Sequence, residues 1–212
     1  AQGWIEAGKV RAASIFSFAM AFMLGVYLVF VGGWPILALG LLSLAAAVAY
    51  SAGPCPISSY PVGELFVFVF FGLAAVGGSY YLQALALSGN SLLAGSALGL
   101  LAAAVLVVNN YRDSETDANS GRRTLAVLIG PVASKMEYAL LILTPFCLLP
   151  LMNLSGATGV SIVLPWLTLP WGLFLIYRIF QIPRSRRLNA LLAQTALLQT
   201  GFGGLLALAA VS

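Results

Sequence analysis

The sequence predicts an all-α, multi-pass transmembrane helical bundle with seven spans. Its 212 residues are 61% hydrophobic and include only ten Lys or Arg and six Asp or Glu. A soluble chain carries roughly 25% charged residues, about three times the 8% present here. The mean hydropathy is +1.00, and the charge-free runs reach the roughly 20 residues that a helix needs to cross the hydrocarbon core. Inside lipid every backbone N–H and C=O must be satisfied within the protein. These runs lack the period-two alternation of barrel strands, so the spans are helices.

The first span, residues 12–31, follows the basic start at Lys9 and Arg11 and stops at Gly32-Gly33-Trp34-Pro35, a turn signal. The second, 35–51, stops at Gly53-Pro54-Cys55-Pro56. The third, 65–82, opens after Gly63-Glu64 and closes at Ser88-Gly89-Asn90. The fourth, 91–110, runs through the unbroken apolar stretch Leu98 to Val108 and enters a charged stretch over residues 111–137, the one long connection. The fifth, 136–152, begins after Ser134-Lys135-Met136-Glu137, whose S-x-x-E form predicts a capping box and gives Glu137 a structural role. It ends before Ser155-Gly156-Ala157; the sixth, 160–178, reaches the basic stretch Arg178 to Arg187, and the seventh spans 188–211. Pro145, Pro150, Pro165 and Pro170 kink their spans.

With seven spans, all ten basic residues and all six acids fall at one face of the membrane, and the loops at the other face carry none. The positive-inside rule makes the charged face cytoplasmic. The net charge of +4 is then an orientation signal, with the lipid bilayer as partner and no nucleic acid. The chain contains no histidine, which excludes a Ser-His-Asp triad, histidine-ligated metals and an imidazole base. Cys55 and Cys147 are far apart and suggest neither a metal site nor a disulfide framework; both read as apolar fillers. A start at Ala1, without Met or a signal segment, leads to the expectation of a fragment lacking its natural beginning.

The candidate chemistry sits at the end of the fourth span. If the helix continues, Asn109, Asp113, Asp117 and Gly121 recur every four residues along one face. Two carboxylates one turn apart repel, and anions at a helix C-terminus meet the negative end of the macrodipole. A hard divalent cation such as Mg²⁺ offsets both, using one or two carboxylates and filling its shell with water and phosphate oxygens. Arg112, Arg122 and Arg123 add phosphate donors, and Asn109-Asn110 place amides where polar groups are costly. Glu64 either stabilises the start of the third span or contacts a substrate.

The run NNYRDSETDANSGRRTLAVLIG, residues 109–130, resembles the second aspartate-rich motif of the UbiA superfamily of membrane prenyltransferases, most closely the branch acting on 1,4-dihydroxy-2-naphthoate in menaquinone or phylloquinone biosynthesis. GELFVFVFFG at 63–72 and AVGGSYYLQ at 75–83 look like the same branch. The resemblance implies a fold of about nine transmembrane helices with two aspartate-rich motifs. Residues 1–212 are then a single prenyltransferase domain lacking its first two helices and first motif, inactive alone. No aspartate precedes Asp113, in keeping with this. The resemblance further implies Mg²⁺-dependent transfer of a polyprenyl group from its diphosphate to 1,4-dihydroxy-2-naphthoate with decarboxylation, giving demethylmenaquinone at the bacterial plasma (inner) membrane, with the site facing the cytoplasm. Asp113 and Asp117 are the implied catalytic metal ligands. Asn109 and Asn110 support them, Arg112, Arg122 and Arg123 meet diphosphate, and Tyr60 and Glu64 border the acceptor. Leu128, where a basic residue is usual, and Pro61-Val62, in a shorter loop, depart from the pattern. The competing readings are another acceptor such as 4-hydroxybenzoate, a chlorophyllide or haem, and a small-molecule transporter. Against the transporter, every charge lies at one interface and no repeat is evident.

Overall fold

The computed structural model describes residues 5–53, 56–154 and 160–211. Readings at Ala1–Trp4, Pro54-Cys55 and Ser155-Gly156-Ala157 lie outside them. Among the described residues six helices are long and apolar enough to cross a membrane, not seven. They are α1 (Ala7–Ser51), α2 (Gly63–Ala84), α3 (Gly89–Asn119), α4 (Leu125–Leu154), α5 (Leu169–Gln181, extended at its start by the 3₁₀-helix Val160–Thr168) and α6 (Leu188–Val211).

The count differs because Gly32-Gly33-Trp34-Pro35 does not open a loop. The predicted spans 12–31 and 35–51 both lie in α1, whose helical geometry fails at Gly33 alone, with φ 67° and ψ −154°. Only glycine takes that conformation cheaply. Pro35 sits in the first turn of the second arm, where a missing N–H costs no hydrogen bond. Gly25 and Val26 of the first arm and Ile36 and Gly40 of the second line one cleft of about 370 Å³ with Gly78 and Leu82 of α2. The arms therefore face each other across the break.

A second difference concerns the charged stretch 111–137. It is helical as far as Asn119 and again from Leu125, so the connection shrinks to residues 120–124. α3 ends in a Schellman motif: Arg122 N–H donates to the Asp117 carbonyl (2.9 Å), Gly121 N–H donates to Ala118 (3.1 Å), and Gly121 has φ 78°. The capping box predicted at Ser134 is absent. Ser134 lies within α4, four residues past a break at Gly130 (φ 79°), and its buried hydroxyl donates to the Gly130 carbonyl at 2.8 Å. It cannot begin a helix from there.

α3 is the axis of the bundle: 56% of its most apolar window is buried, against 6% for α1. Small residues permit this. A Cβ on Gly72 of α2 would strike the Gly95 carbonyl and the Gly99 Cα of α3, and one on Gly99 would lie 2.6 Å from the Phe68 carbonyl. The two backbones thus touch, as small residues allow in membrane bundles. At this crossing α2 widens into a π-helix over Phe68–Ala74. On the other side Leu101, Ile142, Leu175, Leu198 and Phe202 form a fully buried core, and Tyr138 of α4 hydrogen-bonds Thr195 of α6 at 2.8 Å.

The segments joining α1 to α2, α3 to α4 and α5 to α6 meet at one end. Arg123 N–H donates to the Ser59 carbonyl (2.8 Å), Arg184 pairs with Glu115 (2.8 Å), and Arg112 reaches Asn189 (2.6 Å). Gly99→Ala is expected to destabilise the protein by about 1–3 kcal/mol through backbone overpacking. Gly204→Ala, which meets nothing within 4 Å, should be neutral. Thermal unfolding in detergent checks both.

Candidate active site

α3 carries the aspartate-containing run where its apolar stretch gives way to polar residues. Asn110, Ser114 and Asp117 share the face turned into the bundle and are buried. Asn109, Arg112 and Asp113 flank that face and are partly exposed. Gly121, expected on the same helical stripe, lies beyond the end of α3.

Each aspartate is already matched to a guanidinium. Arg112 grips Asp113 through two bonds, Nε to Oδ1 at 2.7 Å and a terminal nitrogen to Oδ2 at 2.5 Å. The same side chain donates to Asn109 Oδ1 (2.8 Å) and to Asn189 Oδ1 at the start of α6 (2.6 Å). Such a fork fixes both orientation and charge. Arg122 donates to Asp117 Oδ1 at 2.9 Å and to the Ser58 carbonyl at 2.7 Å, which ties the α3 terminus to the loop before α2. The i,i+4 repulsion expected from the sequence is therefore offset within the protein, one arginine per carboxylate.

Two cavities flank these pairs. One, of about 350 Å³, is lined by Ser59, Tyr60, Ser120, Gly121, Arg122 and Arg123. The other, of about 370 Å³, is lined by Arg112, Asp113, Ser185, Arg186 and Asn189. Tyr60, Arg122 and Arg123 are thus brought together, as are Arg112 and Asp113. Asn189 and the Arg184–Glu115 pair are contributions that no sequence signal marked.

Glu64 belongs to a third grouping. It is 7% exposed, and its Oε1 accepts a 2.8 Å hydrogen bond from Asn110 Nδ2, itself 7% exposed. Its Oε2 is buried with no hydrogen-bond partner. Glu64 lies in the first turn of α2, where the dipole favours an anion, so helix stabilisation and a place in the site coincide. The Tyr50 hydroxyl lies beside Gly63, and the Tyr50 ring stacks on Phe66 at 5.6 Å. Tyr50, Phe66, Phe70, Phe71 and small α1 residues wall an apolar cleft of about 550 Å³ adjoining this point. Glu137, assigned by the sequence to a cap, lies within α4 and also buries an unpartnered Oε2.

Among the described residues no three Asp, Glu, Cys or His side chains converge as a metal cage. Asp113 and Asp117 are two hard carboxylates on successive turns, which suits Mg²⁺ when phosphate oxygens and water complete its shell. Asp113 lines the second cavity and Asp117 lies against Arg122, so a cation held by both would need substrate and water oxygens to complete its shell.

Residues 1–199 match the UbiA prenyltransferase family. The chain is 37% identical over 162 residues to the 1,4-dihydroxy-2-naphthoate octaprenyltransferase of Escherichia coli, covering 72% of this chain and 52% of that protein. It is 28% identical over 192 residues to the Bacillus subtilis protein of the same name, covering 91% and 62% respectively. The mouse UbiA prenyltransferase domain-containing protein 1 is 35% identical over 142 residues, 67% of this chain and 40% of that protein. The chain spans about half the length of the curated relatives it matches.

Asn110→Leu leaves both Glu64 oxygens unpaired and is expected to cost about 1–3 kcal/mol. The double variant with Glu64→Leu should recover much of that loss. A double-mutant cycle on thermal unfolding checks the coupling.

Proposed function

Because the chain belongs to the UbiA prenyltransferase family, we propose that the protein transfers a polyprenyl group from its diphosphate to an aromatic acceptor, with 1,4-dihydroxy-2-naphthoate as that acceptor and demethylmenaquinone as the product after loss of carbon dioxide. The observation that carries the reading is the guanidinium–carboxylate cluster of Arg112, Asp113, Asp117 and Arg122 at the charged end of an otherwise apolar bundle. Several relatives named for the naphthoate reaction support the acceptor.

The chemistry needs three things of the chain. It must hold a diphosphate, stabilise that group as it leaves, and keep water from an allylic cation. Arg112, Arg122 and Arg123 offer planar donors that match phosphate oxygens two at a time. Asp113 and Asp117 would hold Mg²⁺, which when bound supplies positive charge to the departing diphosphate. The Tyr50–Phe66–Phe70 cleft offers an apolar wall with aromatic faces, which attract a cation and exclude water. Glu64, Asn110 and Tyr60 border the acceptor. Within this chain, which has no histidine, tyrosines and carboxylates are the side chains on offer for proton transfer. The protein is an integral one of the bacterial plasma membrane, with this cluster toward the cytoplasm.

Membranes containing the full-length protein, Mg²⁺ and a polyprenyl diphosphate should convert 1,4-dihydroxy-2-naphthoate into a prenylated, decarboxylated naphthoquinol detected by mass spectrometry. Product from 4-hydroxybenzoate instead would move the protein to another acceptor, and product from neither would favour a transporter. Asp113→Asn and Asp117→Asn should each lower the rate by about 10²-fold or more at saturating Mg²⁺ without altering membrane insertion. Undiminished turnover in Asp117→Asn overturns the metal assignment.

A further inference from the structure

The cavity beside Asp113 draws its lining from two distant parts of the chain: Arg112 and Asp113 on α3, and Ser185, Arg186 and Asn189 where the α5–α6 connection enters α6. Its side-chain acceptors are already engaged. Arg112 holds both Asp113 oxygens, at 2.7 and 2.5 Å. The Ser185 hydroxyl donates to the Pro183 carbonyl at 3.2 Å and accepts from the Arg187 N–H at 3.4 Å. Asn189 Oδ1 accepts from Arg112 Nη1 at 2.6 Å. Its donors are not all engaged. That bond leaves the two N–H groups of the Asn189 amide with no acceptor among the described residues, and Arg186 forms no ion pair among them. A guanidinium has five N–H groups. Arg112 commits four, two to Asp113 and one each to Asn109 and Asn189, and the fifth is on the Nη1 that Asn189 holds. Two guanidinium groups against one carboxylate leave the lining with one net positive charge. A polar space of about 370 Å³ with spare donors and a positive charge suits a group made only of acceptors. Of the reactants in the proposed reaction, that is the diphosphate. The naphthoate brings hydroxyl donors as well, and a prenyl chain brings no polar group.

We propose that Asn189 and Arg186 are diphosphate-binding residues, so that the start of α6 completes a site that the run at 109–130 supplies only in part. This rests on the reading of the protein as a prenyltransferase that uses a prenyl diphosphate. Asn189 has two tasks. Its Oδ1 fixes Arg112 Nη1, which carries the one unengaged N–H of that guanidinium, and its Nδ2 adds a donor to the same cavity. Arg186 adds a full charge and a planar fork, which suits phosphate oxygens. Arg122 and Arg123 line the other cavity and do not stand in for this pair. Arg186 is thereby more than an orientation signal, and it differs in this from Arg187, which does not line the cavity.

The test is calorimetric titration of inorganic pyrophosphate into the full-length protein, with and without Mg²⁺. The unaltered protein is compared with Asn189→Asp, Asn189→Leu, Arg186→Gln and Arg187→Gln. Asn189→Asp keeps the shape and the acceptor for Arg112 while losing the amide donors, so it stays folded if the leucine does not. It should weaken pyrophosphate by about tenfold or more, and Arg186→Gln by a similar factor. Arg187→Gln removes the same charge one residue along and should change the affinity by less than about twofold. In turnover, Asn189→Asp and Arg186→Gln should raise KM for the prenyl diphosphate and leave KM for the naphthoate unchanged. Equal weakening by Arg187→Gln, or no binding of pyrophosphate to the unaltered protein, overturns the proposal. So does a fall in thermal stability at unchanged affinity, which would make Asn189 a structural tie alone. Unchanged pyrophosphate binding with less phosphatidylglycerol retained by Arg186→Gln would make the cavity a lipid-headgroup site and also overturn it. Failure of the unaltered protein to prenylate any acceptor, with the pattern of pyrophosphate affinities intact, would overturn the reaction and not the phosphate site.

Discussion

The burial of α3 is the constraint on which the rest depends. More than half of its apolar window is buried, and where α2 crosses it the approach is made through glycines. Gly72, Gly95 and Gly99 let α2 close on it until backbone meets backbone. That contact fixes the height of α2 relative to α3, and with it the meeting of Glu64 and Asn110. Polar groups at the buried end of such a helix have little water to turn to, so each must be satisfied by a neighbour. The Arg112–Asp113, Arg122–Asp117 and Asn110–Glu64 contacts are three answers to one requirement. They also bind the α1–α2 loop and the start of α6 to the same point, because Arg122 reaches Ser58 and Arg112 reaches Asn189.

Much of this was legible in the sequence, and the reasons for the rest are specific. Hydropathy located each of the six membrane helices found among the described residues because the apolar runs are long and free of charge. It overcounted by one where Gly33 bends a helix without interrupting it, since a single residue of positive φ leaves the same sequence mark as a loop. The motif at 109–130 was recognisable from its residue types. Its internal pairing was not, because the four-residue spacing that joins Asp113 to Asp117 says nothing of the arginines that claim each one. The charged stretch read as a long loop because polarity is the usual mark of a connection. Tertiary pairing overrode that by neutralising the charges on the last turns of α3. Asn189 lay beyond sequence reasoning: an amide at the start of the last helix carries no signal until the fold brings it to Arg112. The S-x-x-E pattern at Ser134 misled for a related reason. The break that starts the second arm of α4 is at Gly130, four residues earlier, and a pattern of two residue types cannot locate a backbone break.

The bundle is unevenly packed. α3, α4 and α6 share a fully buried core, whereas α1 buries almost nothing. Local opening free energies follow buried apolar contact, so α1 lies at the low end of the range and α3 at the high end. The charged cluster is seated on the rigid side. Its hydrogen bonds tie α3 to the α1–α2 connection and to the start of α6, which holds the donors in place. The apolar clefts lie on the other side, between α1 and α2, where a change of width costs least.

Under the proposed prenyl transfer, that division meets two opposed demands. Diphosphate is small and highly charged and demands fixed geometry, because a misplacement of an ångström in an ion pair forfeits much of its energy. A polyprenyl chain is long and apolar and demands only a dry surface, since dispersion and the hydrophobic effect are not directional. A single rigid scaffold would serve the first and exclude the second; a single loose one would do the reverse. Here the two requirements fall to different helices of one short chain. The π-helical widening at Phe68–Ala74 lies where they meet, beside the glycine contact on one face and among the aromatic residues of the cleft on the other. The crossing of α2 and α3 thus sets the position of the charged site and forms the border of the apolar one.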